Sequence, residues 1–263
     1  MDRRGAGDDA SLECEEFRLP PPDLSLGGED VHVWSAWLEQ PAARAHQLAG
    51  LLSADERGRA QRFRGELDRE RFIAGRGVLR AILGRYLDAD PKDLEFRYGP
   101  SGKPCLAGNL EAAGLHFNVS HSAAVAVYAV ARGREVGVDV ERLRAIPDAE
   151  RIAARFFSEQ ERAALRAILP GDRTSAFYRC WTRKEAYLKA LGEGLTRPLP
   201  SFDVSLAPGH APRLLRVEGD PQAPFRWTLR SLEPAPNYVG ALAAEGAGWR
   251  LACWRWDDPA DCP

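Results

Sequence analysis

What most limits the folds open to this chain is a weak internal repeat at a spacing of 105 residues. Asp30-Val31-His32-Val33-Trp34 reads as a strand, and Glu135-Val136-Gly137-Val138-Asp139 does the same 105 positions later. Ser53-Ala54-Asp55-Glu56 has the capping-box pattern of a helix start, a serine followed three residues on by a glutamate. Ser158-Glu159-Gln160-Glu161 repeats it at the same spacing. A long helical stretch containing Phe72 is matched by one containing Phe177. Two related halves sharing an interface are expected, and 263 residues with 44 % apolar side chains can bury a core of that size.

Each half closes in strand-like segments, over 115–119 and 125–130 in the first and over 225–232, 238–243 and 249–256 in the second. Strand, helices, then more strands makes the class α+β. The expected boundaries are a disordered leader over 1–28, rich in Gly, Asp, Glu and Pro, halves at 29–133 and 134–257, and a tail at 258–263. The offset pairs Trp34 with Asp139, Ala36 with Glu141 and Arg80 with Glu185. The second half then carries acids where the first has none. A site between the halves would have acids on one wall and arginines on the other.

In Gly137-Val138-Asp139-Val140-Glu141 a strand puts the two acids on one face, with Cα atoms about 7 Å apart, and the valines on the other, toward a core. Neighbouring carboxylates repel unless a cation lies between them, and Mg²⁺ accepts one or two carboxylates together with phosphate oxygens. Taken alone, this short pattern reads better as a solvated strand end, with Arg142 or Arg144 as partner. A third acid, Glu185, lies in Trp181-Thr182-Arg183-Lys184-Glu185-Ala186-Tyr187-Leu188-Lys189, which reads as a helix with Phe177, Trp181, Leu188 and Leu191 on its apolar stripe. Lys184 falls on that stripe and wants a carboxylate or carbonyl partner. Glu185 and Lys189 are i, i+4 neighbours. Only four of the 36 basic residues are lysines, and Lys103, Lys184 and Lys189 are three of them, all within these motifs or the Gly102-Lys103-Pro104 turn. A lysine kept in an arginine-biased chain points to a need for a compact ammonium.

Phe117-Asn118-Val119-Ser120-His121-Ser122 places hydroxyls and an imidazole at a strand end, where they can bond phosphate oxygens. The chain has no G-x-S-x-G elbow and no G-x-x-x-x-G-K-[ST] phosphate loop. Nine arginines lie between Arg57 and Arg85, interleaved with acids, with Arg71 and Arg76 the leading anion contacts. A net charge of −2 argues against nucleic acid as a partner. Five scattered cysteines without C-x-x-C spacing favour a reducing cytoplasm. The absence of a long apolar run argues against a membrane span.

Together these segments resemble the Sfp-type 4′-phosphopantetheinyl transferases, with the order and spacing covering roughly Ser53 to Leu199. The tryptophan–lysine–glutamate–lysine helix, about 45 residues after the D-x-E strand and preceded by the Asn-x-Ser-His-Ser turn, is the specific part. The resemblance implies a pseudo-twofold pair of α+β halves. It implies transfer of the phosphopantetheine arm of coenzyme A to a serine of an apo acyl or peptidyl carrier protein, with release of adenosine 3′,5′-bisphosphate. It further implies that Asp139, Glu141 and Glu185 hold Mg²⁺, and that Glu185 and Lys189 are catalytic. Coenzyme A contacts are expected from Arg59, Arg71, Arg76, Lys103, Ser120, His121, Lys184 and Lys189. Some members carry a phosphate-binding lysine just after the first capping serine. Here Glu56 stands near that place, Arg57 and Arg59 are the nearest cations, and Arg76 is the leading contact for the 3′-phosphate. The internal duplication makes a monomer sufficient. The competing readings are another Mg²⁺-dependent phosphotransferase or phosphodiesterase, and a non-catalytic coenzyme A-binding protein.

Overall fold

A computed structural model describes residues 16–100, 102–192 and 197–256. The first half runs β1 (Asp30–Trp37), α1 (Ala42–Ala49), α2 (Ala54–Ala60), α3 (Glu66–Leu87), β2 (Phe96–Tyr98), β3 (Pro104–Leu106), β4 (Leu115–Ser122) and β5 (Val125–Arg132). The second runs β6 (Val136–Arg142), α4 (Ala149–Phe156), α5 (Glu159–Ala167), α6 (Pro170–Leu191), β7 (Phe202–Val204), β8 (Leu214–Val217), α7 (Ala223–Arg226), β9 (Trp227–Leu232) and β10 (Tyr238–Glu245), and β11 (Arg250–Arg255) follows. The mixture of helices and mainly antiparallel strands is α+β.

The two halves repeat one plan. One sheet has the order β11-β1-β5-β4 and the other β6-β10-β9, so in each the first strand pairs antiparallel with the last strand of its half. The sheets pack face to face. Val31, Val33, Val127 and Ala129 from one meet Val136, Val138, Val140 and Leu242 from the other. Alternate residues of β5 and β10 point outward, where α3 covers the first sheet through Val78, Ile82 and Tyr128, and α6 covers the second through Tyr187, Ala190 and Ala241. These central strands are buried on both faces, so they read as continuous apolar runs.

Both capping boxes form. Ser53 accepts from Glu56 N while Glu56 returns a bond to Ser53 N, and Ser158 and Glu161 do the same. Each capping glutamate also holds a base on the long helix behind it. Glu56 Oε2 accepts from Arg80 Nε at 2.6 Å, and Glu161 accepts from Lys184 Nζ at 2.8 Å on both oxygens. A hairpin phenylalanine lies over each base, Phe96 over Arg80 and Phe202 over Lys184. These partners align Arg80 with Lys184, a shift of 104, as do the bounds of α3 and α6. The expected pairing of Arg80 with Glu185 is therefore one residue out, because the run from the capping serine to the start of the long helix is one residue shorter in the second half. Ala81 is the counterpart of Glu185.

Three expectations change. The segment expected to close the second half, 249–256, contains β11, which joins the first sheet by pairing parallel with β1. The stretch from 225 begins in α7, and its strand starts at Trp227. Within the expected leader, residues 16–28 are ordered against the fold: Phe17 and Leu26 are buried, and Arg18 N donates to Cys253 O at 3.2 Å. The free backbone edge of β11 and an apolar slot for Phe17 supply the binding energy that the polar composition conceals. Residues 1–15, the expected tail, and Glu193 and Gly194 lie outside the described residues.

Strand β6 reaches α6 through Gly137. A Cβ built there would stand 2.2 Å from both Ala186 O and Ala190 N. Those atoms are helix backbone and have little freedom to move. Gly137→Ala should cost about 3 kcal/mol, the upper part of the overpacking range, and lower the melting temperature by roughly 6–12 °C. Gly171→Ala, with open space around it, should leave the melting temperature unchanged when the two are compared by calorimetry.

Candidate active site

The alternation of β6 decides where its acids go. Val136, Val138 and Val140 enter the core between the sheets, so Asp139 and Glu141 share the Gly137 face, toward α6. There they line a cleft of about 520 Å³ with Ser120 and His121 from β4 and with Trp181, Glu185 and Lys189 from α6. Phe156 and Leu199 add apolar wall.

Asp139 is buried, and its Oδ1 accepts from Lys189 Nζ at 2.6 Å and from Ser120 Oγ at 2.8 Å. Its Oδ2 is buried with no hydrogen-bond partner among the described residues. Glu141 Oε2 accepts from Ser122 Oγ at 2.7 Å. All three carboxyls sit above the ordinary carboxylate range, and burial is the first cause in each. For Glu141 the charge of Asp139 adds to it; for Glu185 the charges of Asp139 and Glu141 do. His121 is held below its ordinary value, first by burial and then by the cations of Lys189 and Arg71, with Asp139 alone pulling the other way.

Of the expected site residues, Ser120, His121, Asp139, Glu141, Glu185 and Lys189 share this cleft. Lys184 does not reach it. Its ammonium is fully buried behind α6, spent on Glu161 and on Phe202 O, so its place among the coenzyme A contacts is corrected to a structural one. Lys103 Nζ bonds Glu135 Oε2 at 2.9 Å and the carbonyls of Val136 and Ala190, tying the end of α6 to the start of β6. Arg76 is engaged by Glu56 and by Tyr98 Oη, and lies over Phe96. Arg71 pairs with Glu39, and Arg59 lies over the Phe72 ring. The motif containing Asn118 and Ser122 was read for phosphate contacts, but their bonds to β6 were not foreseen, although alternation with Ser120 puts all three on one strand face.

Among the described residues, no three acidic, histidine or cysteine side chains stand together as a closed metal cage. The three acids as placed do not jointly enclose one ion, and Lys189 lies on Asp139. The donor set still suits a hard cation. It offers carboxylate oxygens, one of them orphaned and buried, and Mg²⁺ needs only one or two carboxylates when phosphate oxygens complete its shell.

Two outcomes separate scaffold from site. Lys184→Met strands the buried charge of Glu161 and should lower unfolding free energy by about 3–5 kcal/mol in a denaturant titration. Glu185→Gln should instead raise the melting temperature of the metal-free protein at neutral pH. The folded pKa of Glu185 is raised, so its contribution to stability is full below the unfolded value and is lost as pH rises through the folded one. The gain from the neutral glutamine should therefore shrink as pH falls below that folded value and be gone below the unfolded one. A pH series of melting curves on both proteins reads the difference directly.

Known proteins place this geometry. Two family models match the halves in turn, one described as 4′-phosphopantetheinyl transferase, N-terminal, over residues 35–132, and the 4′-phosphopantetheinyl transferase superfamily over 135–243. The 4′-phosphopantetheinyl transferase HetI of Nostoc sp. is 41 % identical over 236 residues, covering 90 % of this chain and 96 % of that one. The 4′-phosphopantetheinyl transferase Sfp of Bacillus subtilis is 29 % identical over 217 residues, covering 81 % and 92 %. A crystal structure of the Thermotoga maritima holo-acyl-carrier-protein synthase aligns at 22 % identity with a TM-score of 0.33, over 43 % of this chain and 64 % of its own. With both halves matched and nine-tenths of the length shared with a relative at 41 % identity, this chain belongs to the 4′-phosphopantetheinyl transferase superfamily and is an enzyme that transfers phosphopantetheine to carrier proteins.

Proposed function

We propose that the cleft between β4, β6 and α6 binds coenzyme A with Mg²⁺ and passes the 4′-phosphopantetheine arm to a serine of an apo acyl or peptidyl carrier protein. The observation that carries this reading is the meeting of three carboxyls, each raised above its ordinary range, with one ammonium in a single cleft. Asp139 and Glu141, with Glu185 across from them, would hold the cation. Mg²⁺ bound there supplies positive charge to the diphosphate, which favours departure of adenosine 3′,5′-bisphosphate.

The chain's own groups do the rest. The serine oxygen forms a bond to phosphorus as the bond to the adenosine bisphosphate oxygen breaks, and the serine proton goes to a base. Glu185 is that base: its raised affinity for a proton suits the task, and it stands on the rigid helix α6. Lys189, one turn along, can exchange Asp139 for phosphate oxygens and neutralise charge there. His121 and Ser120 offer further donors, and Arg71, near enough to act on His121, is the arginine best placed for a phosphate. Arg76 is the weaker choice, since its partner Glu56 is buried and also holds Arg80, whereas Glu39, the partner of Arg71, is exposed.

No helix among the described residues is long and apolar enough to cross a membrane. Five scattered cysteines without C-x-x-C spacing support a cytoplasmic enzyme, and the duplicated halves support a monomer. The test is to incubate an apo-carrier with coenzyme A and Mg²⁺ and follow the carrier by mass spectrometry. The carrier should gain the mass of the phosphopantetheine arm, the gain should require Mg²⁺, and Glu185→Gln should slow loading by about 10²-fold or more. Unchanged loading by that variant would remove Glu185 as the base.

A further inference from the structure

Asn118, Ser120 and Ser122 occupy alternate positions of β4, and each engages β6. Asn118 Oδ1 accepts from Val138 N at 2.9 Å, Ser120 Oγ donates to Asp139 Oδ1 at 2.8 Å, and Ser122 Oγ donates to Glu141 Oε2 at 2.7 Å. Strands β4 and β6 are edge strands of different sheets, so side chains rather than a backbone ladder join them here. The contacts keep step along both strands. The second and third land on the two acids of the proposed metal site.

Ser122 differs from Ser120 in its other partner. Ser120 Oγ also accepts from Lys189 and so belongs to the charged cluster itself. Ser122 Oγ accepts from Arg142 N at 3.2 Å. With the backbone N–H occupying its acceptor side, the single hydroxyl proton is directed at Glu141 Oε2. Glu141 has three rotatable side-chain bonds and a like charge at Asp139, so an untethered side chain would be driven toward solvent. The hydroxyl fixes one carboxylate oxygen and leaves Oε1 to face a ligand. Groups that orient a metal's carboxylates in this way set metal affinity without touching the metal.

We propose that Ser122 is a positioning residue that presets Glu141 for the divalent cation, a role that rests on the Mg²⁺ reading above. The probe is Mn²⁺, titrated by electron paramagnetic resonance into the protein with coenzyme A present. Ser122→Ala should weaken Mn²⁺ binding by about 10-fold, while Ser122→Thr, which keeps the hydroxyl, should restore most of the affinity. In the loading assay Ser122→Ala should raise the apparent KM for Mg²⁺ and leave kcat at saturating Mg²⁺ within about twofold of wild type. Its melting temperature and its metal-free affinity for coenzyme A should stay at the wild-type values. Wild-type Mn²⁺ affinity in Ser122→Ala would overturn the proposal and leave the metal reading standing. A matched fall in melting temperature and in metal-free coenzyme A binding would assign Ser122 to the scaffold instead. Failure of the wild-type protein itself to hold Mn²⁺ beside coenzyme A would overturn the metal reading, and this proposal with it.

Discussion

Helix α6 lies against β6 so closely at Gly137 that no side chain fits between strand and helix backbone. The active-site geometry follows from that contact. Residues on the same strand face as Gly137 are Asp139 and Glu141, and the residues of α6 that overhang them are Glu185 and Lys189. A methyl at 137 would lift the helix by more than the slack in a 2.6 Å ion pair between Lys189 and Asp139. The valines between the acids secure the opposite face by packing into the core between the sheets. The strand is thus fixed on one side by apolar burial and on the other by backbone contact.

Around that contact the protein uses one device twice. In each half a capping glutamate starts one helix and accepts a bond from a base on the next, and a phenylalanine ring closes over the base. The duplicated device explains Lys184, which falls in the most recognisable motif of the chain yet serves the scaffold. A buried glutamate that also accepts the N–H of Val204 must be paired, and Lys184 is the cation within reach. Its neighbour Glu185 points the other way because one residue on a helix turns about 100°. The adjacent positions thus divide between holding the fold and lining the cleft.

The cleft concentrates charge that the fold does not neutralise. Lys189 answers one oxygen of Asp139, and Ser122 answers one of Glu141; the other oxygen of Asp139 is buried without a partner. Buried carboxyls arranged in this way gain from a divalent cation, and they favour a diphosphate that brings the remaining ligands. Burial, and then the charges of Asp139 and Glu141, raise the proton affinity of Glu185, so the arrangement that would favour a metal would also tune the proposed base.

The duplicated plan, the α+β class, both capping boxes and the six residues that meet in the cleft were legible in the sequence. Each rests on a local rule: strand alternation, a cap spaced three residues from its partner, or an acid and a lysine one helical turn apart. The one-residue slip between α3 and α6 was not legible, since a periodic pattern does not reveal where the chain between two helix starts loses a residue. The swap of β11 into the first sheet, and the seating of Phe17 in what reads as a polar leader, were hidden for a related reason. Composition records what a segment is made of, not which edge or slot awaits it. The chain by itself determined which faces are apolar and which residue types sit beside one another. Only the tertiary structure decided which cation each acid meets, because partners such as Asp139 and Lys189, or Glu161 and Lys184, are chosen by packing across tens of residues of sequence.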